Sequence, residues 1–486
     1  MKKLSFILCV VMIISAFSGC GQSTSTTSED TTRLKWFLRP TAQTDLPLVQ
    51  EAANEIIKEK IGAELEIVRI DPAAYSQKLK TTLSSGEKFD MMYMSNSYGY
   101  FDFAAKGALL PLDELLPKYA PKTYETIPEK FWDATKVNDK IYGSLNYQIV
   151  ARQYGFYLQK ELVDKYNFDV ETIKNFSDIE PFLKAVKEGE DSSFTPLGVI
   201  RSGYWSTLAT YFYGIEYIGT GSQPGAIYVD GEDYKVFDQY KSEEFLDHLK
   251  TMRDFYLKGY IKKDAPTVEN QRDFLATGKA ACIWNAYKPG GMIETEQMCG
   301  GKELVFKAIS EPFTTTNTTI ATMTSINASS ENPEKAVELI ELLNTDKELY
   351  NLICYGIEGK HYNKLGENRI EQISNSGYSP NVSWMFGNNF NAYLLPSQED
   401  GVWEETIALN ENSKTSRIMG FSFDSTPVKS EMAQCSTVIS EYLPSLITGA
   451  ADYEEILPEF FSKMELAGSE KIVAEKQRQL DEWLKK

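Results

Sequence analysis

From Leu34 onward the chain alternates short apolar runs with amphipathic stretches, and this rhythm restricts the fold more than any other feature of the sequence. Residues 34–38 (LKWFL) read as a strand. Asp45 then stands where a helix cap is needed, before Val49, Ala52, Ala53, Ile56 and Ile57 on one helical face, with Gly62 as the stop. Residues 64–70 form a second strand pattern, with Leu65, Ile67 and Val68 available to face inward. Asp71-Pro72 opens a second helix that Gly86 ends, and residues 89–94 read as a third strand. Strands alternating with helices of this length imply a parallel sheet. Ligands of such sheets sit beyond the carboxyl ends of the strands, which nominates the loops 39–44 and 95–98.

A chain of 486 residues exceeds what one hydrophobic core serves, so two lobes or domains are expected. With 42% apolar and 24% charged residues it is an ordinary globular protein, not a disordered or fibrous one. The formal net charge of −19 sets it against nucleic-acid phosphates and anionic lipid heads. A body this acidic makes a poor anion receptor unless it holds a local basic pocket. Cysteine is sparse. Cys282, Cys299, Cys354 and Cys435 match no zinc or redox spacing, and only Cys282 with Cys299 suggests a bridge. His248 and His361 are the only histidines, too few for a His-based metal site or a Ser-His or Cys-His pair. No metal and no cofactor is expected.

The amino terminus is a different kind of segment. Lys2 and Lys3 precede an apolar run from Leu4 to Phe17, too short to span a bilayer, and Ser18, Gly19 and Cys20 follow. Small residues before a cysteine resemble a bacterial lipobox, with Phe17 where leucine is usual. The expectation is a signal peptide over 1–19 and a lipid on Cys20, with the protein held on the outer face of the cytoplasmic membrane. Loss of Lys2 and Lys3 leaves a net charge of −21 on the mature body. Residues 20–33, rich in Ser and Thr, read as a flexible tether spanning roughly 20 Å.

Further on, the chain carries a series of motifs in a fixed order. Lys106-Gly107-Ala108-Leu109-Leu110-Pro111-Leu112-Asp113 is followed by Val137-Asn138-Asp139-Lys140-Ile141-Tyr142-Gly143. Phe156-Tyr157-Leu158-Gln159-Lys160-Glu161-Leu162 comes next, and Ser177-Asp178-Ile179-Glu180 fits a capping box before Phe182, Leu183 and Val186. The run FLATGKAACIWN (274–285) precedes a return segment (319–343) whose helix starts at Asn332-Pro333. This order resembles the family 1 extracellular solute-binding proteins of ABC importers, the maltodextrin-binding class. The last part, with Trp384-Met385-Phe386-Gly387-Asn388 and Gly420-Phe421-Ser422-Phe423-Asp424, resembles a C-terminal extension of unknown function found in a subgroup of Gram-positive lipoproteins.

The resemblance implies an α/β, two-lobed periplasmic-binding-protein-like fold of type II, with mixed sheets flanked by helices and a helix-rich C-terminal region. It implies a first lobe of 34–147 plus 312–356 and a second of 148–311 plus 357–486. It also implies a monomeric receptor that captures a neutral solute, an oligosaccharide before all, and hands it to ABC permease subunits. Sugar clefts set aromatic faces against pyranose rings and amides or charged groups against hydroxyls. On that chemistry the candidate ligand residues are Arg39, Asn96, Tyr98, Gln148, Trp205, Trp284, Asn285, Trp384 and Asn388. Trp284 leads, as the aromatic that ends a strand; Trp36, Trp132 and Trp483 read as core. A peptide or other polar-solute receptor and a surface sensor are the alternatives. An enzyme is disfavoured: no nucleophile elbow, P-loop or H-E-x-x-H occurs, and spacing singles out no glycosidase carboxylate pair.

Overall fold

In a computed structural model of the chain, residues 31–219 and 222–485 are described. The signal segment, Cys20 and most of the tether lie outside them. The first sheet has five strands in the order Ala63–Arg69, Thr32–Leu38, Met91–Met94, Met323–Ile326, Ser144–Leu145. Thr32–Leu38 is parallel to both neighbours, while Met323–Ile326 runs antiparallel to its own two. The strand begins at Thr32, so the tether ends two residues earlier than expected: Thr32 and Arg33 already pair with Ala63 and Glu64.

The helix Leu46–Ile61 buries Val49, Ala53 and Ile57, and Gly62 closes it at φ +64°, with its N–H on the Lys58 carbonyl. Asp45 precedes it but makes no side-chain cap; its carboxylate instead meets Lys360 and His361. The next helix starts only at Tyr75, because Asp71 accepts the Ala73 amide and holds a turn first. The expected capping box is shifted too. Asn175 and Asp178 form it, ahead of the helix Glu180–Gly189.

The second sheet is ordered Leu304–Ala308, Gln153–Gln159, Ala280–Tyr287, Thr195–Leu197. Its core gathers Phe156, Phe176, Phe182 and Trp284. A neighbouring cluster packs Trp205 and Phe245 against Cys435, Ile439 and Phe460 of the C-terminal helices Lys429–Ile447 and Tyr453–Ala467. All four described cysteines are buried free thiols, so Cys282 and Cys299 are not bridged.

The chain passes between the two bodies three times. Arg152 bridges Phe313, and Phe313–Thr314 pairs in parallel with Lys414–Thr415, so three chain segments lie side by side at the crossing. This corrects the expected partition of the C-terminal part. Tyr362, Ile370, Met385, Phe386 and Ala392 belong to the first core, not the second, and Phe386 meets Trp36 edge-on at 6.2 Å. The last crossing therefore follows the helix Val402–Glu411 rather than residue 356. Among the described residues, no helix is long and apolar enough to cross a membrane.

Candidate ligand cleft between the lobes

A cavity of about 690 Å³ opens beside the first crossing strand. Gln148 and Asn285, both expected ligand residues, line it together, with Arg152, Arg272, Tyr287 and Lys288. The backbone that carries Gln148 is fixed from the far side by Asn410, which is fully buried. Its carbonyl oxygen accepts the amides of Val150 (2.9 Å) and Ala151 (3.1 Å), and its amide donates to the Gln148 carbonyl at 2.7 Å. Gln148 Nε2 reaches Thr322 Oγ1 at 3.3 Å, leaving its oxygen free for a ligand. Asn285 Oδ1 accepts the Ala286 amide at 2.8 Å. The Tyr287 ring stacks on Phe306 at 5.0 Å and its hydroxyl donates to Glu405. Burial and that neighbouring carboxylate both push the phenol upward, so it stays a neutral donor.

On the first lobe, Arg39, Tyr98 and Trp384 meet around Tyr93, at the carboxyl ends of Thr32–Leu38 and Met91–Met94. The Arg39 guanidinium lies 6.0 Å from the Tyr93 ring and 5.7 Å from that of Tyr98. Trp384 meets Tyr93 edge-on at 6.0 Å. Arg39 Nε is buried without a hydrogen-bond partner. The loop 39–44 beyond it is covered in part by the chain itself: Gln43 accepts the Ser379 amide at 2.5 Å and Asp45 N–H donates to the Gly377 carbonyl at 3.1 Å.

Asn96 lies elsewhere. It donates to Asn317 at 2.8 Å and lines a second cavity, of about 540 Å³, which Tyr211, Glu216 and Tyr217 of the second lobe and Phe423 of the extension complete. Glu216 is 4% exposed, and both its oxygens lie 2.7 Å from Ser416 Oγ. Burial pushes its carboxyl up to about 7.

Three expected ligand residues are structural. Trp284 is 2% exposed, stacks on Tyr154 at 5.7 Å and donates to Thr207 at 2.9 Å, so its ring fills the second core. Trp205 is also 2% exposed, wedged between Phe245 and His248. His248 is a neutral core imidazole, which burial pushes down to about 3. Asn388 accepts the Phe390 amide at 3.1 Å and caps a short turn. Trp36 and Trp132 are buried as read, and Trp483 packs on Phe421 at 5.7 Å. Arg152, Arg272, Tyr287 and Lys288 were not singled out by the sequence. Alternation along Ala280–Tyr287 holds a signal for one of them, since Cys282 and Trp284 share a buried face and Tyr287 falls on the other. Among the described residues, no group of three or more His, Cys, Asp and Glu side chains is placed to hold a metal ion.

The sequence matches the family described as bacterial extracellular solute-binding protein over residues 43–349, and residues 417–485 match a domain of unknown function, DUF3502. A carbohydrate ABC transporter substrate-binding protein of Streptococcus pneumoniae is 29% identical over 499 residues, covering 100% of this chain and 99% of its own length. The lipoprotein LipO of Bacillus subtilis is 22% identical over 387 residues, or 74% of this chain and 73% of its own. Among solved structures, the N-glycan transport solute-binding protein NgtS of S. pneumoniae is 28% identical. The alignment covers 93% of this chain and 99% of NgtS, with a TM-score of 0.80. Its complexes with Man1GlcNAc and Man5GlcNAc score 0.68 and 0.64. Two lobes, three crossing segments and the match over 43–349 place this chain in the bacterial extracellular solute-binding protein family.

Proposed function

We propose that the protein is a lipid-anchored receptor on the outer face of a bacterial membrane, which captures an oligosaccharide between its lobes and delivers it to an ABC permease. The observation that carries this reading is the 690 Å³ cavity at the crossing, where amide, guanidinium and phenol groups of Gln148, Asn285, Arg152 and Tyr287 converge. Amides and guanidinium match sugar hydroxyls, and a tyrosine ring offers an apolar face to a pyranose. Arg39, Tyr98 and Trp384 do not line this cavity, but they offer a second polar and aromatic group on the first lobe. Full-length relatedness to a carbohydrate substrate-binding protein supports the same solute class. The fall in TM-score from 0.80 to 0.64 between structures of one relative fits lobes that rotate on the crossing strands. Ligand contacts from both lobes would favour the closed arrangement by their differential affinity.

The test is a titration of the mature body, with Cys20 replaced, against a panel of neutral and acidic oligosaccharides, read by tryptophan fluorescence and thermal shift. A saturable sugar that raises Tm and is recovered unchanged is the expected result. A sugar that is consumed, or silence across the panel, overturns the reading. Cys20→Ser should move the protein from the membrane fraction to the medium; persistent attachment removes the anchor.

A further inference from the structure

The charges around the larger cavity run against those of the molecule. The chain carries −19 overall, and five of its ten arginines, Arg33, Arg201, Arg253, Arg369 and Arg478, lie within 4.0 Å of a carboxylate. Arg152 and Arg272, which both line the cavity, have no carboxylate of the described residues at ion-pair distance. The Arg152 guanidinium donates, among the described residues, only to the carbonyls of Ile149 (3.4 Å) and Ala151 (3.3 Å), long contacts that leave most of its donors open. The Arg272 side chain makes no hydrogen bond to any described residue. The one carboxylate in the lining, Glu294, is taken by Lys288 at 2.9 Å. Glu405, reached through Tyr287 at the rim, already accepts that hydroxyl.

Three cations, Arg152, Arg272 and Lys288, thus line the cavity against one carboxylate, so its charge is positive. A neutral sugar hydroxyl both donates and accepts, so a site built for hydroxyls alone balances the two. Guanidinium groups only donate, and an ionised carboxylate only accepts. Resting on the receptor reading above, we propose that the cleft prefers an oligosaccharide bearing a carboxylated sugar, a uronate or its chemical equivalent, whose carboxylate is received by Arg152 and Arg272. The local basic pocket that an acidic receptor needs in order to hold an anion is this one. The acidic remainder of the surface then rejects polyanions that do not fit the cleft.

The experiment compares uronate-containing tetra- to hexasaccharides with their carboxyl-reduced forms, identical except for a hydroxymethyl group in place of the carboxylate. Calorimetry on the mature body at low and high salt reads the affinity ratio. The expected result is binding about tenfold tighter for the carboxylated member at low salt, a ratio that shrinks in 1 M salt as screening shortens to ~3 Å. Arg272→Gln, at an exposed position where folding is safe, should collapse the ratio toward one, with Tm as the folding control. Neutral oligosaccharides binding as well as, or better than, their carboxylated partners overturns the inference and leaves the receptor standing. A preference that survives Arg272→Gln overturns the assignment to this cavity. Silence from neutral and acidic sugars alike overturns both readings.

Discussion

At the scale of single residues, Glu216 is the most consequential group outside the proposed sugar site. Its carboxyl is buried, accepts the Ser416 hydroxyl and has no cation of the described residues at ion-pair distance, and burial pushes it up from 4.5 to about 7. The folded state therefore holds this proton more tightly than the unfolded chain does. Its stabilising contribution is full below about pH 4.5 and is lost as pH rises through 7. Glu216→Gln makes the neutral form permanent. Its stability advantage over the wild type should grow by roughly 2–3 kcal/mol between pH 5 and pH 9 in urea unfolding. A gap that does not widen with pH refutes the buried neutral carboxyl. Sequence could not point to this residue, since nothing in Gly214-Ile215-Glu216-Tyr217 distinguishes a buried glutamate from a solvated one. The same blindness misplaced Trp205 and Trp284: a strand end beside Asn285 suits a stacking ring, but the register that turns Trp284 inward is set by Phe156 across the sheet.

At the scale of elements, the helix Val402–Glu411 holds the crossing. Lys130 Nζ donates to the carbonyls of Asn410 (3.2 Å), Glu411 (3.0 Å) and Ser413 (3.2 Å), placing a cation at the negative end of the helix dipole. Asn410 then ties the first crossing strand. Asn410→Ala would leave two buried amides and one carbonyl unpaired, at a cost of about 3 kcal/mol. Hydrogen exchange at Val150 and Ala151 should quicken ahead of the rest of the strand; unchanged protection there would show that the tie is not needed. The first βαβαβ elements were legible because each is signalled locally: period-two and helical apolar patterns, with Gly62 and Gly86 in the left-handed region at the helix ends. The stretch from 357 to 425 was not. Its strands are two or three residues long, and its placement rests on pairs such as Asp45 with His361, 316 residues apart, which leave no local pattern. His361 accepts the Ile357 amide at Nδ1, so its Nε2–H faces Asp45, a match no spacing rule anticipates.

At the scale of the whole molecule, the extension is part of the second lobe rather than an appendage. Its helices cover Trp205, Ile215 and Phe245, and Lys476, fully buried, donates to the Pro224 carbonyl at 2.6 Å. A chain stopped after Glu411 uncovers that apolar face. It should be recovered aggregated or as a species that binds hydrophobic dyes, without a cooperative melting transition. A soluble truncated body that still binds sugar would make the extension a separate module. The same arrangement has a consequence for how the protein comes into being. The first core takes in Met419, and the clusters that the extension completes beside the second core take in Ile472 and Leu480, which are made only when synthesis is nearly finished. At ~5–20 residues per second, the ribosome works for roughly half a minute or more before the clusters that the extension completes can close. Until then the apolar face of the second lobe that the extension covers stays open, so this part of the body completes its folding only once its last helix has emerged.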